Sequence, residues 1–239
     1  MDFKPDYIKT EQGYAYKYPR PEVTTDCVIL GFDGSELKML IVKRGIEPFK
    51  GSWALPGGFL RMHETIEECA QRELLQETGV EQSFMKQFGV FSALDRDPRG
   101  RVVTVAFYAL VKLTEVKGGD DAAEAKWVSL DEIPHLAFDH DMIVASALKH
   151  IREDIHFRPL GFELMPERFT LPQLQRLYEA ILGVKFERSN FAKKLLKTGM
   201  LNVLGERAEA HGYRPPELYS FNRERYKSLK QTGTLRLEF

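Results

Sequence analysis

The sequence predicts an α+β fold in two parts: a mixed sheet flanked by helices, then a smaller unit of paired helices and short strands. Three observations carry this. Apolar, β-branched runs dominate residues 21–130, with one well-bounded helical segment among them. A second helical segment, 141–152, closes that stretch. After a joint at 155–164 broken by Pro159 and Gly161, two capped helical segments precede two short apolar runs.

Taken in order, residues 1–20 are rich in Tyr and Lys and read as an arm that Pro21 ends. Residues 24–32 and 37–44 read as strands joined by the Asp33-Gly34 turn, a hairpin. Residues 51–60, punctuated by Pro56, Gly57 and Gly58, read as a loop, and 65–78 as a helix. Strands are expected at 88–93, at 125–128 and, with the clearest pattern, at 101–113. Strands with few helices between them suit a mixed sheet covered by helices. The joint contains Phe157, Leu160, Phe162 and Leu164, which suggests a packed connector.

Composition removes several classes of protein. The chain has 239 residues, 34 Lys plus Arg and 35 Asp plus Glu, for a net charge of −1; 43% of residues are hydrophobic and 29% charged. That is a globular mixture, not a disordered one. The longest apolar run, 102–113, is broken by Thr104 and falls short of the ~20 residues that span a bilayer. The first nine residues lack the apolar core of a secretory signal. Cys27 and Cys69 cannot form a disulfide framework or a CxxC metal pair. The expected place is the reducing cytoplasm, with no membrane contact. Residues 161–239 hold 14 basic and 9 acidic side chains, against 20 and 26 before them. This asymmetry fits a polyanionic partner for the second part, or chance partition of a mixed surface.

The helix at 65–78 carries the first chemical signal. Thr65 and Glu68 fit a capping box, and Gly79 stands where a left-handed terminal residue belongs. On a helical wheel Cys69, Ala70 and Leu74 form a small apolar face. Glu73 and Glu77 fall in the middle of that face, Gln76 lies on its edge, and Arg72, Glu68 and Gln71 point away. Two inward carboxylates one turn apart repel, and each is costly to desolvate unpaired. A divalent cation shared between them removes that cost, and Mg²⁺ suits a site it completes with phosphate oxygens and water. A base such as Arg72 pairing with the acids removes it equally.

Upstream, Gly57-Gly58 lets the backbone come close to a ligand. The run Gly58, Glu64, Arg72-Glu73, Leu74, Gln76-Glu77, Gly79 and Val80 resembles the box of the Nudix hydrolases, G-x5-E-x7-R-E-U-x-E-E-x-G-U with U aliphatic. One defined position departs: Gln76 stands for the first glutamate of the E-E pair. Trp53-Ala54-Leu55-Pro56-Gly57-Gly58 resembles the usual lead-in to the box. The resemblance implies an α/β/α sandwich whose loop–helix–loop holds Mg²⁺ or Mn²⁺ against a diphosphate. Glu73 and Glu77 would ligate metal, with the Gly57 carbonyl a further ligand. Catalysis would rest on Glu73, Gln76 and Glu77, the base being Glu73 or a residue outside the box. Gly58, Glu64, Arg72 and Gly79 would hold the loop and helix together. The Gln76 amide oxygen can ligate but carries no charge and takes no proton, so fewer or weaker metals are implied.

Residues 95–101, Asp-Arg-Asp-Pro-Arg-Gly-Arg, resemble a segment of Nudix proteins that handle ADP-ribose. Arg99 and Arg101 would contact substrate through forked donors, although the segment also fits a solvated turn. Phe138-Asp139-His140 resembles the same subgroup, with His140 a base, a substrate contact or a structural hydrogen bond. The reaction implied is metal-assisted hydrolysis of a nucleoside diphosphate-linked compound such as ADP-ribose, giving AMP and ribose 5-phosphate.

In the last eighty residues Thr170 can cap a helix over 170–182, with Pro172 in its first turn, an apolar stripe of Leu174, Leu177, Tyr178, Ile181 and Leu182, and Gly183 at its end. Ser189 can cap a second helix over 190–198, closed by Gly199. Lys193, Lys194 and Lys197 fall on one side of it, and Phe191, Ala192, Leu195 and Leu196 on the other. Strands at 201–204 and 218–221 flank a polar loop with Arg207, His211 and Arg214. Together these make a winged helix-turn-helix. Its second helix would enter the major groove with Arg188 and Asn190 near its start, and Arg207 and Arg214 on the wing. A solvated lysine face on a small appendage, or a protein-docking face, fits the pattern as well.

The order of the two parts resembles the NrtR and AraR families of bacterial regulators from about residue 21 to 221, most recognisably in Phe169-Thr170-Leu171-Pro172-Gln173-Leu174-Gln175. That resemblance implies an arm at 1–20, a Nudix domain at 21–156 and a winged-helix domain at 157–239, with a homodimer on operator DNA. Because Glu73 and Glu77 are both kept, the expected function is an Mg²⁺-dependent hydrolase fused to a DNA-binding winged helix. The alternative is a regulator that senses ADP-ribose or a sugar derivative without turnover.

Overall fold

The computed structural model describes residues 7–11, 13–79, 84–116, 122–209, 215–232 and 237. The expected arm contains a separate antiparallel hairpin, β1 (Tyr7–Thr10) with β2 (Gly13–Tyr16). The main sheet is built from β3 (Glu22–Phe32), β4 (Leu37–Arg44), β5 (Trp53–Ala54), β6 (Gly57–Phe59), β7 (Phe84–Phe91), β8 (Val102–Leu110) and β9 (Ala122–Ser129). Between β6 and β7 runs α1 (Ile66–Thr78), and after β9 comes α2 (His140–Asp154). Strand order is β5-β4-β3-β8-β7, with β6 added to β3 and β9 to β4. The β3–β8 pair is parallel and the other pairs are antiparallel, so the sheet is mixed.

Strand β3 shows why the sheet lies between helices. Cys27 and Ile29 pack with Leu40, Phe107 and Ala109 against Ala70 and Leu74 of α1. Val28 and Leu30, one position out of phase, pack with Met39, Ile41 and Tyr108 against Ile143 and Ala147 of α2. A strand buried on both faces reads as a continuous apolar run. The loop expected at 51–60 holds the two short strands β5 and β6. Their extended backbone comes from pairing with β4 and β3, a tertiary cause that local composition cannot show.

The second unit comprises α3 (Gly161–Leu164), β10 (Phe169–Thr170), α4 (Leu171–Leu182), α5 (Arg188–Lys197), β11 (Leu201–Arg207), β12 (Glu217–Phe221) and α6 (Arg223–Gln231). Its sheet runs β10-β12-β11, all antiparallel. Helix α4 carries a full capping box between Thr170 and Gln173 and ends on left-handed Gly183. Helix α5 begins two residues before the expected start. Glu187, not Ser189, is its cap, and one carboxylate accepts from the Ser189 and Asn190 amides at 2.9 and 2.7 Å. An ionised group that takes two free amides outcompetes a single hydroxyl. Leu196, placed by the wheel on the core side of α5, is 41% exposed, whereas Phe191 and Leu195 are buried.

One hydrophobic core runs through both units. It passes from Ile143, Ala147 and Ile151 of α2 through Ile155, Leu160 and Leu164 to Leu174, Leu177 and Tyr178 of α4, and on to Phe191 and Leu195 of α5. Gly161 packs tightly at this junction, since a Cβ there would lie 3.1 Å from both Leu174 and Phe221 side chains. Phe157, read as part of the packed joint, is instead turned out and 58% exposed. Polar ties cross the seam: Arg152 Nε donates to the Ile181 carbonyl at 3.1 Å, and Arg176 Nε to the Gly34 carbonyl at 2.9 Å. The Leu237 amide donates to the His156 carbonyl at 2.7 Å. None of the described helices is long and apolar enough to cross a membrane.

Candidate functional site

A cavity of about 240 Å³ opens where β6, the second half of α1, the 95–101 loop and the start of α2 converge. Helix α1 is bounded as its sequence demands, by a Thr65–Glu68 capping box and by Gly79 at φ 72°. Glu73 is carried to the cavity wall. Its carboxylate lies against the backbone of β6: a Cβ on Gly58 would meet Glu73 Oε1 at 2.2 Å, and one on Gly57 would meet the Thr25 carbonyl at 2.1 Å. Both glycines are required for close approach, and neither has a positive φ.

Arg72 does not point away. Its long stem folds back over the loop, a freedom that a wheel of Cα directions omits. Nε and Nη2 hold both oxygens of Glu64 at 2.8 and 2.6 Å, Nη2 also donates to the Phe59 carbonyl at 3.1 Å, and Nη1 donates to Glu73 Oε1 and to the Gln76 amide oxygen. The guanidinium holds the Glu64 carboxyl down at about 2, well below its ordinary 4.5. Glu73 is thus paired with a base while still facing the cavity. Glu77 lies in α1, and its side chain falls outside the described residues. Cys69, beneath Arg72, is buried, and burial pushes its thiol up to about 11, which keeps it protonated and unreactive.

The 95–101 loop contributes a second set of charges. Arg96 is almost fully buried. It donates to Asp139 at 2.8 and 3.0 Å and to Asp26 at 3.0 Å. Burial alone would lower its pKa, but the Asp139 hydrogen bonds and the Asp26 charge outweigh burial and raise it. Asp97, also buried, holds Arg99 through Nε and Nη2 at 3.0 and 2.7 Å. Arg99 lines the cavity. Arg101 does not: its Nη1 donates to the carbonyls of Ser92 and Ala93, and it stays exposed. His140 is buried at the cavity floor. Its Nδ1 accepts from the Leu55 amide at 2.9 Å, and burial pushes its pKa down, so the ring is neutral with its proton on Nε2, 3.5 Å from Asp26.

Three of these groups, Asp26, Arg96 and Asp139, were not singled out in the sequence. Asp26 did leave a signal, as the one carboxylate inside the apolar run of β3. Arg96 and Asp139 stood in plain sight within segments read for their neighbours.

The second candidate surface lies on α5. Arg188, Asn190, Lys193, Lys194 and Lys197 are all exposed, and no acidic side chain among the described residues pairs with the four cations. Arg207 sits on β11, exposed, with Nη1 3.4 Å from the Pro215 carbonyl. His211 and Arg214 lie outside the described residues.

Comparisons with known proteins fit both surfaces. Residues 20–149 match the NUDIX domain, and residues 161–221 match the NrtR DNA-binding winged helix domain. The chain is 34% identical over 231 residues to the ADPR responsive transcriptional repressor NtrR of Acinetobacter baylyi, covering 95% of this chain and 92% of the relative. It is 42% identical over 132 residues to the ADP-ribose pyrophosphatase of Methanocaldococcus jannaschii, covering 55% of this chain and 76% of that one. The crystal structure of Shewanella oneidensis NrtR complexed with a 27mer DNA superposes with a TM-score of 0.72 at 30% identity, covering 86% of this chain and 95% of that one.

Proposed function

The chain belongs to the Nudix family and carries the NrtR-type winged helix after its Nudix domain, and from that premise we propose a ligand-responsive DNA-binding regulator. Its Nudix cavity takes an ADP-ribose-like nucleoside diphosphate and, with Mg²⁺ or Mn²⁺, hydrolyses it slowly. Its winged helix binds operator DNA as part of a cytoplasmic homodimer.

One observation carries the ligand class: three guanidinium groups, Arg72, Arg96 and Arg99, line a single cavity, each oriented by carboxylates. Forked donors fixed in this way suit a diphosphate. Arg99 keeps Nη1 without a partner among the described residues, while Nε and Nη2 are taken by Asp97.

The residues fit a divalent ion in one mode. Among the described residues no three His, Cys, Asp or Glu side chains surround a common point. Mg²⁺ is ordinarily held by one or two carboxylates together with phosphate oxygens and waters. Glu73 beside the Gly57–Gly58 backbone supplies part of such a set; Glu77, one turn further along the sequence of α1, would be the second carboxylate. Bound there, the ion would offset diphosphate charge and acidify a water. Gln76 cannot replace a charged ligand; it steadies Arg72 instead. That difference is why turnover is expected to be slow.

Occupancy of the cavity and of DNA must be coupled for regulation, and the shared core with the Arg152–Ile181 tie gives a continuous packed route between them. The test uses the full chain and DNA from its own promoter. ADP-ribose should change operator affinity by about 5- to 150-fold, and with Mg²⁺ the protein should release AMP. Glu73→Gln should slow that release by about 100-fold or more. Operator affinity indifferent to ADP-ribose would remove the regulator; a ligand response without AMP would remove the enzyme and leave a sensor.

A further inference from the structure

The hairpin of β3 and β4 reaches from the cavity to the winged helix. At one end Thr24 and Asp26 of β3, with Val42 and Arg44 of β4, line the cavity. From Asp26 to Phe32 the strand covers about 20 Å, at ~3.3 Å per residue. At that far end Phe32 and Leu37 are buried in one core with Leu174 and Leu177 of α4. The two strands pair there, Leu30 with Met39 and Phe32 with Leu37. Toward the cavity they part: β3 pairs with β6 at Thr24–Asp26, and β4 with β5 at Val42 and Lys43. A ligand in the cavity therefore sits where the two strands are not bonded to one another.

The turn that joins the strands is stiff. Asp33 Oδ1 accepts from the Ser35 and Glu36 amides, both at 2.8 Å. Lys38 Nζ donates to Ser129 Oγ at 2.7 Å, which donates on to Glu36 at 2.8 Å. Gly34 takes a φ of 98°, a conformation open to glycine. Its carbonyl accepts the 2.9 Å hydrogen bond from Nε of Arg176, an exposed residue of α4. Two kinds of contact thus reach α4 from the Nudix domain. Buried apolar packing has no single bond to make or break, whereas an exposed hydrogen bond has two clear states. A charge-assisted hydrogen bond and an allosteric coupling are of one size, about tenfold to a hundredfold in an equilibrium constant.

Resting on the reading of this chain as an ADP-ribose-responsive regulator, we propose that the β3–β4 hairpin couples the cavity to DNA and that Arg176 is the residue through which it acts. Ligand at the parted ends shifts one strand against the other. The stiff turn carries that shift to Gly34, and the Arg176 bond passes it to α4. Helix α4 in turn holds the DNA-facing α5 through the Tyr178–Phe191 ring contact, with centroids 5.7 Å apart. Arg176 is a positioning residue in this scheme, and it does not line the cavity. The two arrangements of α4 differ in whether its bond to Gly34 is made, and ADP-ribose favours one of them.

The full chain is titrated onto DNA from its own promoter by fluorescence anisotropy, with and without saturating ADP-ribose. Binding of ADP-ribose alone is followed by calorimetry. Arg176→Ala should leave ADP-ribose affinity within about 2-fold of the wild type. It should cut the effect of ADP-ribose on operator affinity, about 5- to 150-fold in the wild type, to about 2-fold or less. Arg176→Lys, which still donates to a carbonyl, should restore part of that effect. Asp33→Ala loosens the turn from the Nudix side and should reduce the effect in the same direction; it carries the test if Arg176→Ala fails to fold. Arg152→Ala, which removes the tie from α2 to Ile181, should reduce the effect less than Arg176→Ala does. A full ligand effect in both Arg176→Ala and Asp33→Ala, or a larger loss in Arg152→Ala, overturns the proposal. A wild-type protein whose operator affinity ignores ADP-ribose overturns the regulator itself.

Discussion

The Nudix cavity and the α5 face both gather positive charge, and they treat it in opposite ways. Of the arginines lining the cavity, three are matched to carboxylates: Arg72 to Glu64 and Glu73, Arg96 to Asp26 and Asp139, Arg99 to Asp97. On α5 the lysines stand in solvent without acidic partners among the described residues. Matched, buried charge fixes direction, which suits one small ligand that must be held in a single pose. Unmatched, exposed charge leaves direction free and makes attraction dependent on salt, which suits a polyanion met at many registers. The difference predicts which interventions damage the molecule and which only weaken a contact.

Arg96 marks the extreme of the first regime. Arg96→Ala would strand Asp26 and Asp139 in a buried setting, and breaking such a pair costs about 3–5 kcal/mol. Chemical denaturation should show that loss, together with loss of ADP-ribose binding. A near-neutral result would mean that water reaches these carboxylates and that the cavity is not pre-arranged. On α5 the effect should be smaller and of another kind. Changing Lys193, Lys194 and Lys197 to alanine should leave stability almost unchanged and flatten the dependence of log affinity on log salt by up to about 2.7, near 0.9 per phosphate contact. An unchanged slope would reduce these lysines to a solvated face.

The smallest effect is a pH effect. Glu64 is held at about 2 in the folded chain against an ordinary 4.5, so its stabilising contribution is complete above pH 4.5 and is lost as pH falls toward 2. Glu64→Gln should therefore lower stability at neutral pH, by less than Arg96→Ala, and flatten the stability curve across that acid window. Denaturant midpoints measured from pH 2 to 7 would decide it; parallel curves for the two proteins would show that Arg72 does not depend on Glu64.

Local chemistry made much of this legible in sequence. The Thr65–Glu68 capping box, the Thr170 cap and the terminal glycines Gly79 and Gly183 appear where the residues placed them, because each is a contact within three or four positions. The hairpin of β3 and β4 was readable from its turn for the same reason. The helical wheel turns Arg72 away because a wheel of Cα directions omits its long stem, whereas the box resemblance that groups it with Glu64 agrees with their contact. Arg101 was grouped with Arg99 by type and spacing, and the backbone sends it to Ser92 and Ala93 instead.

The sequence by itself determined the longer helices and strands, the order of the two units, and the lysine-bearing face of α5, since periodicity and caps act over a few residues. Tertiary structure alone decided that Asp26, Arg96, Asp139 and His140 meet and that β5 and β6 are strands. Those outcomes depend on pairings between residues tens of positions apart. No local preference encodes them: they arise when the sheet closes and each buried charge must find its counterpart.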